Sequence, residues 1–571
     1  MKEYDISGAE AVTLALIAEG VDIVFGYPGG SNLPIYDSFF KHKEQINHVL
    51  VRHEQGAIHA AEGYAEVSGK VGVCMVTSGP GATNLITGIA DAQLDSVPVV
   101  CITGQVGISN LGYDAFQETD VVGISMPVTK WNYQITKAEE ISETLSKAFY
   151  IARSGRPGPV LIDITKNAQT EKLTQFEYEK CRKIDSYHPK FRPIDEAVEE
   201  AAMLLNNATK PFMVVGHGVL LSGCKDEVAT LSKTLDMPVA STLLGLSAIP
   251  CDNPLYAGMV GLHGNYAANK MTNECDVLLA VGMRFDDRVT SNVQKYARQA
   301  KIIHIEIDPS EINKLVSVSV PIVSDAKSAL NKLIPLLQTS SHGQWLDIMR
   351  NYRKEEEEKV FARDLDSNTQ VLRMGRVVKA ISQKMPNGTI TVTDVGQNQM
   401  AAARYFDYQS DDCLVTSGGL GTMGFALPAA IGAWYANKML NQPIVCIMGD
   451  GGFQMTIEEL GVIMQYKIPL KMILLNNNYL GMIRQLQDMY YDSRYYFGEL
   501  QNPKFTKIVE AYDIPAKKIS KQEELLPAIQ EMLATSGPYF LEVKVEKEDN
   551  IFPVVPSGAG VDEMILRKED E

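Results

Sequence analysis

No two of the eight cysteines (Cys74, Cys101, Cys181, Cys224, Cys251, Cys275, Cys413 and Cys446) form a Cys-x-x-Cys pair. This argues against a disulfide framework or a thiolate zinc site. Several lie within apolar runs, where a reduced thiol packs as a small hydrophobe. No stretch approaches the roughly 18 uninterrupted apolar residues of a membrane span. The N-terminus, MKEYDISGAEAV, has no basic region leading into an apolar core, so no secretory leader is expected and the chain reads as cytoplasmic. Positive charge is in deficit: 53 Lys and Arg stand against 70 Asp and Glu, a formal net charge of −17. That balance argues against nonspecific binding to nucleic acid or anionic membrane and leaves local basic patches for phosphate groups.

The chain has 571 residues, 45% hydrophobic and 22% charged, which is globular composition and too long for a single core. Short apolar runs alternate with helical stretches: VGVCMVTSG, VPVVCITG and PVLIDIT early, FMVVGHG, VLLAVGMRF and KIIHIEID in the middle, TITVTDVG, PIVCIMGDG, KMILLNN and YFLEVKV late. Alternation of this kind predicts an α/β fold of doubly wound parallel sheets covered by helices. Two polar segments interrupt it, at 169–192 and 338–370, and read as linkers. The run Glu355 to Glu358 in the second reads as a solvated helix face. Three α/β domains are therefore expected, at 1–168, 192–337 and 371–571. A glycine-rich turn after an apolar strand occurs both at 77–84 (TSGPGATN) and at 416–424 (TSGGLGTMG), a weak internal echo.

The most informative pattern is Gly449-Asp450-Gly451-Gly452, followed by Asn476-Asn477 after one more helix and strand. A parallel crossover delivers both turns to the carboxyl edge of one sheet, where open α/β folds bind ligands. Magnesium takes oxygen ligands and usually only one or two protein carboxylates. Asp450 and the Asn477 amide oxygen therefore suit a magnesium-bound diphosphate, with the glycines admitting it and the next helix offering free N–H donors. Each half alone reads equally well as an N-capped turn and an Asn-rich loop; the combination favours the metal site. Glu54, in Arg52-His53-Glu54-Gln55-Gly56-Ala57, falls at a strand end or helix start. A lone glutamate there is ordinarily a helix-dipole partner.

Taken together, GYPGG (26–30), RHEQGA (52–57), TSGPGATN (77–84), DAFQE (114–118), GRPGPVLIDI (155–164), RFDDRVT (284–290), GTMGFALPAA (421–430), GDGGF (449–453), NNNYLGM (476–482) and DEMI (562–565) make the chain resemble the thiamine diphosphate enzymes. Within them it is similar, nearly end to end, to the catalytic subunits of the acetohydroxyacid (acetolactate) synthase family. The resemblance implies a pyrimidine-binding first domain, a central FAD-binding domain and a diphosphate-binding third domain. It implies that Glu54 meets the cofactor's pyrimidine across a dimer interface as a general acid–base group. Asp450, Asn477 and the Tyr479 carbonyl would hold Mg2+. Gly396, Gln397, Gly421, Met423, Gly451, Gly452 and Met482 would contact thiamine diphosphate, Met423 as the wedge that bends it. Gly30, Gln117 and Lys166 would line the reacting centre and its channel. Arg156, Gly216, Gly218, His263, Arg284, Asp308 and Asp325 would take FAD, with glycines admitting the pyrophosphate and arginines neutralising it; the flavin has a structural role in the family. The substrates implied are pyruvate and 2-oxobutanoate, and the assembly a homodimer or tetramer with a possible small regulatory subunit.

Departures from the family pattern gather at the channel: Leu486 where Trp is usual, Gly107-Ile108-Ser109 in place of Pro and basic residues, Ser31 for Ala and Leu262 for Met. Loss of the indole removes a large flat wall, so weaker discrimination between the two acceptors, and weak binding of sulfonylurea-type channel blockers, are expected. Asn398 replaces a usual His and cannot titrate. The rival readings are another flavin-containing member such as a pyruvate oxidase or glyoxylate carboligase, and a noncatalytic regulatory paralogue. Glyoxylate carboligase lacks the equivalent of Glu54. A noncatalytic paralogue would have lost Glu54, Asp450 or Asn477.

Overall fold

The computed structural model describes residues 6–189, 192–437 and 442–567. Three six-stranded sheets, each parallel throughout, follow one another along the chain. The first has the spatial order Asn47–Leu50, Ile23–Gly26, Gly72–Val76, Val99–Gln105, Val160–Thr165, Trp131–Ile135. The third has the order Cys413–Thr416, Ile390–Thr393, Ile444–Gly449, Lys471–Asn476, Tyr539–Lys544, Ala516–Ile519. With strands counted from the start of each sheet, both orders are 2-1-3-4-6-5, so the two sheets share one topology.

The echo between 77–84 and 416–424 does not follow that duplication. The first turn leaves the third strand of its sheet and the second leaves the second strand of its own. The topological partner of 416–424 is the turn carrying Glu54, and that of 77–84 is the turn carrying Asp450. The helices that follow the two second strands, Glu54–Ser68 and Ala426–Ala436, pack against each other. Small residues permit this: a Cβ on Gly63 would lie 2.1 Å from the Ala429 carbonyl oxygen, and one on Gly432 1.8 Å from that of Ala60. One apolar core therefore runs from the first sheet into the third.

The middle sheet has the order Tyr256–Met259, Val239–Ser241, Pro211–Val215, Val277–Val281, Lys301–Glu306, Val320–Val323. Counted the same way this is 3-2-1-4-5-6, the order of dinucleotide-binding sheets, with its switch point between the first and fourth strands. Its inner strands, Pro211–Val215 and Val277–Val281, are buried throughout, as a sheet covered on both faces requires.

The segments read as linkers are partly built into these bodies. Lys172–Leu173 pairs antiparallel with Ile6–Ser7, whereas 190–191 lie outside the described residues. Gly343–Glu356 is an α-helix that continues into a π-helical segment, Glu357–Phe361, and Trp345, Leu346 and Met349 insert into a middle-domain core. The reading of 355–358 as wholly solvated fails at Glu356. Only 2% exposed, it pairs with Arg404 at 2.6 Å and accepts from Asn265 Nδ2 at 3.1 Å and Tyr266 N at 3.0 Å. No helix among the described residues is long and apolar enough to cross a membrane.

Candidate active site

Ile444–Gly449 and Lys471–Asn476 lie side by side with Gly449 paired to Leu475, which carries Asp450 and Asn477 past the same carboxyl edge. Asn502 links the two turns: its Nδ2 donates to Asp450 Oδ2 at 2.5 Å and to Asn476 Oδ1 at 3.3 Å. Asn477 Oδ1 accepts from Tyr479 N at 3.0 Å, and its Nδ2 donates to Gln397 Oε1 at 3.4 Å. Gln397 follows the first strand of the sheet and Asp450 the third, so their turns flank a topological switch point. Burial pushes the Asp450 carboxyl up to about 6 against the hydrogen bond from Asn502; a cation beside it would restore the carboxylate. A carboxylate, an amide oxygen and a nearby backbone carbonyl form the hard donor set that Mg2+ accepts.

Gly396 (φ +141°) caps the helix Gln397–Tyr405, whose free N–H groups face this edge. Gly421 (φ +75°) shapes the turn that carries Met423. A Cβ at Gly451 would lie 2.8 Å from Leu480 Cδ2 and 3.3 Å from Met423 Cε, so the glycine lets both close over the turn. One at Gly452 would strike the Asp394 carboxylate at 2.1 Å; Asp394 in turn accepts from Gly424 N at 3.0 Å and Ala426 N at 3.2 Å, fixing the Met423 turn. Met482, half-buried, and Leu486, 42% exposed, lie on the next helix, Gly481–Tyr490.

The first sheet gathers a second set of turns at its own carboxyl edge. Glu54 opens the helix after Asn47–Leu50, and its Oε2 accepts from Asn84 Nδ2 at 2.9 Å. Gly30 follows Ile23–Gly26, and the next residue, Ser31, links its turn to 77–84 through Thr77 Oγ1 at 2.9 Å and Ser78 N at 2.9 Å. Gln117 packs its backbone on Gly79, where a Cβ would lie 2.8 Å from the Gln117 carbonyl oxygen. Gly107 and Lys166 lie just past the ends of the neighbouring strands Val99–Gln105 and Val160–Thr165, and Ile108 N donates to Asn167 Oδ1 at 3.0 Å. Arg52 N and His53 N donate to Glu459 Oε1 at 2.9 and 3.1 Å, docking the Glu54 turn on the third domain. Within this chain no hydrogen bond among the described residues joins Glu54 to the Asp450 cluster.

The flavin-pattern residues also gather at a carboxyl edge, that of the middle sheet. Gly216 and Gly218 follow the first strand and Arg284 the fourth, across the switch point. The glycines serve packing: a Cβ on Gly216 would lie 2.4 Å from the Gly282 oxygen, and one on Gly218 2.7 Å from Gly282 Cα. Arg156 reaches over from the first domain to Asp308 at 3.4 Å. Asp308 and Asp325 are tied up as helix caps, Asp325 also accepting from Ser222 Oγ at 2.7 Å. His263 is 7% exposed and its Nδ1 has no partner among the described residues, as a residue awaiting a ligand would be. His217 Nδ1 lies 3.1 Å from the Asp95 carbonyl, and burial pulls its imidazole down to about 4. A histidine lowered on folding stabilises above its ordinary value of about 6.5 and loses that contribution as pH falls. The melting-temperature advantage of wild type over His217→Asn is therefore expected to be constant above about pH 6.5 and to shrink down to about 4, as thermal melts would show.

Three family descriptions match the chain: "Thiamine pyrophosphate enzyme, N-terminal TPP binding domain" over residues 6–124, "central domain" over 198–333 and "C-terminal TPP binding domain" over 394–543. The acetolactate synthase large subunit of Lactococcus lactis is 43% identical over 564 residues, covering 99% of this chain and 96% of its own. Isozyme 3 of Escherichia coli is 41% identical, covering 99% of both chains, and a probable acetolactate synthase large subunit of Methanocaldococcus jannaschii is 44% identical, covering 97% and 94%. The chain belongs to the acetolactate synthase large-subunit family. Within this thiamine diphosphate enzyme, two residues beside the Asp450 cluster escape a reading of motifs. Asn502 lies in an irregular stretch well after the Asn476-Asn477 turn. Gln485, next to Leu486, accepts from Gln397 Nε2 at 3.1 Å and clasps Ile551 through its amide. Asn398, in place of the usual His, donates to the Asp394 carbonyl at 2.7 Å and is buried, a fixed structural contact.

Proposed function

We propose that the protein decarboxylates pyruvate and joins the two-carbon unit to a second pyruvate, giving 2-acetolactate, or to 2-oxobutanoate, giving 2-aceto-2-hydroxybutanoate, in branched-chain amino acid biosynthesis. What supports this most is the pairing of an acid–base turn at Glu54 with a metal–diphosphate turn at Asp450, each at a sheet edge and with no hydrogen bond between them among the described residues. Two copies related by a twofold axis, the first domain of each facing the third domain of the other, complete both sites, so the working unit is at least a homodimer. When bound, thiamine diphosphate supplies the electron sink that decarboxylation and carboligation require. Asp450, Asn477 and the Tyr479 carbonyl would hold its Mg2+; Gly396, Gln397, Gly421, Gly451, Gly452 and Met482 would receive its phosphates and ring, with Met423 packed against it. Glu54 holds or releases a proton at its carboxylate, while Gly30, Gln117 and Lys166 orient the acids that enter. Arg156, His263, Arg284 and the edge around Gly216, Gly218, Asp308 and Asp325 would hold FAD.

We place the domains at 1–168, 192–337 and 371–571, with Lys172–Leu173 added to the first and the helix Gly343–Glu356 to the second; the location is cytoplasmic, and a small regulatory subunit is a further partner, as the relatives' name "large subunit" suggests. Incubation with pyruvate, thiamine diphosphate, Mg2+ and FAD, followed by acidification, is expected to give acetoin by colour assay. Absence of product would sink the reading, and oxygen-dependent peroxide with acetyl phosphate would replace it by a pyruvate oxidase. Gly107, Leu262 and Leu486 line the channel. Leu486→Trp restores a flat wall and is expected to raise the preference for 2-oxobutanoate over pyruvate by about 5- to 150-fold, about 1–3 kcal/mol of discrimination, in a competition assay that measures both products.

A further inference from the structure

Between the helices Glu54–Ser68 and Ile86–Asp95 and the turn at 417–419 lies a dry cluster: His59 is 0% exposed, Glu62 1% and Asp91 1%. Ligand atoms of the three all lie within 4.8 Å of one another. His59 Nδ1 is 3.5 Å from Glu62 Oε2 and 3.9 Å from Asp91 Oδ2. The remaining oxygen of Asp91 is committed, accepting from Ser417 Oγ at 2.7 Å. Asp91 Oδ2, aimed at the imidazole, and Glu62 Oε1 have no hydrogen-bond partner among the described residues. Asp95 alongside is spent on Gly418 N and Gly419 N, and Arg284 and Arg156 act on Asp95. Two carboxylates thus share one imidazole, which brings at most one N–H to each oxygen it meets. Buried lone pairs left in that state are costly.

We propose that His59, Glu62 and Asp91 form a binding site for a divalent transition-metal cation, distinct from the magnesium site at Asp450. Two carboxylates balance the charge of a dication, and an imidazole nitrogen favours Zn2+, Mn2+ or Co2+ over the hard cations that want oxygen alone. Bonds of about 2.0–2.1 Å in tetrahedral geometry place ligand atoms about 3.3–3.4 Å apart. The observed 3.5 and 3.9 Å close to that by small side-chain shifts. His59 Nε2 lies 3.4 Å from the Gln55 amide nitrogen. Turning that amide presents its oxygen to Nε2–H and frees Nδ1 for the ion, the outer contact that ligating histidines ordinarily make. The ion would also tie two functional turns together: Gln55 adjoins Glu54, and Ser417, held by Asp91, accepts from Thr422 N at 2.8 Å beside Met423.

The test uses the full-length protein, stripped with chelator and dialysed against limiting Co2+ with excess Mg2+ to occupy the oxygen site. One retained Co2+ per chain by elemental analysis, with the visible absorption of a tetrahedral nitrogen–oxygen site, is the expected result. His59→Phe, which keeps the edge contact with Phe425 (centroids 5.2 Å apart), and Glu62→Gln are each expected to weaken retention at least about tenfold; Asp450→Asn keeps it. Circular dichroism checks that each variant is folded, and the wild-type measurement stands even where one is not. No cobalt retained by wild type overturns the site and leaves carboxyls that share protons. Equal retention in both folded variants overturns it as well.

Discussion

Glu54→Gln lowers turnover by about 10²–10⁴-fold, the range for loss of a positioned general acid–base group, and leaves the fold intact. The substitution is nearly isosteric. The Glu54 carboxylate is half-buried at the first turn of its helix, held by Asn84 Nδ2 at 2.9 Å, and the helix beyond it is anchored by packing on Ala426–Ala436 rather than by this side chain. An amide at 54 keeps a hydrogen-bonding oxygen but holds no proton to exchange at neutral pH. The loss should therefore fall on kcat while pyruvate KM and the affinity for thiamine diphosphate, followed by quenching of intrinsic fluorescence, change little; a group acting only in the transition state behaves this way. Undiminished turnover would remove Glu54 from the chemistry and return it to helix capping. A fall in cofactor affinity with kcat unchanged would make it a binding group.

Much of the architecture was legible because buried parallel strands announce themselves: Val277–Val281 and Ile444–Gly449 are continuous apolar runs ended by glycine. Edge strands were hidden for the same physical reason. Trp131–Ile135 and Ala516–Ile519 lie at sheet edges, partly exposed and mixed in polarity, so no period marks them. Motifs exposed the turns, since Asp450 and Asn477 sit in short stretches whose residue types follow from ligand chemistry. They could not expose Asn502, which reaches Asp450 only because an irregular segment folds back. Nor could they give the glycines of 216–218 their packing role against Gly282, which depends on a strand more than sixty residues away. The internal duplication was visible as an echo, but composition aligned the wrong turns; only strand order pairs the Glu54 turn with 416–424.

Glu356→Ala is expected to destabilise the protein by about 3–5 kcal/mol, the cost of breaking a buried ion pair and leaving its partner uncompensated. Arg404 is wholly buried and places Nη2 2.6 Å from Glu356 while Nη1 donates to the Gly264 carbonyl at 2.9 Å. Glu356 therefore fixes the end of Gly343–Glu356 to the middle domain through Asn265 and Tyr266 and to the third domain through Arg404. Its removal strands a guanidinium and two donors in a dry contact between domains. Its neighbour provides the control. Glu355 meets Lys359 at 2.7 Å with both side chains more than a third exposed, and Glu355→Ala should cost less than about 1 kcal/mol, because water and salt screen such a pair. Three domains need not unfold together, so the comparison is made on the first transition in urea, followed by tryptophan fluorescence with Trp345 in the packed helix as reporter. The double replacement Glu356→Leu with Arg404→Met removes both charges and should recover most of the loss, since apolar pairs often substitute for buried ion pairs. Equal, small shifts at 355 and 356 would return the whole acidic run to a solvated helix face.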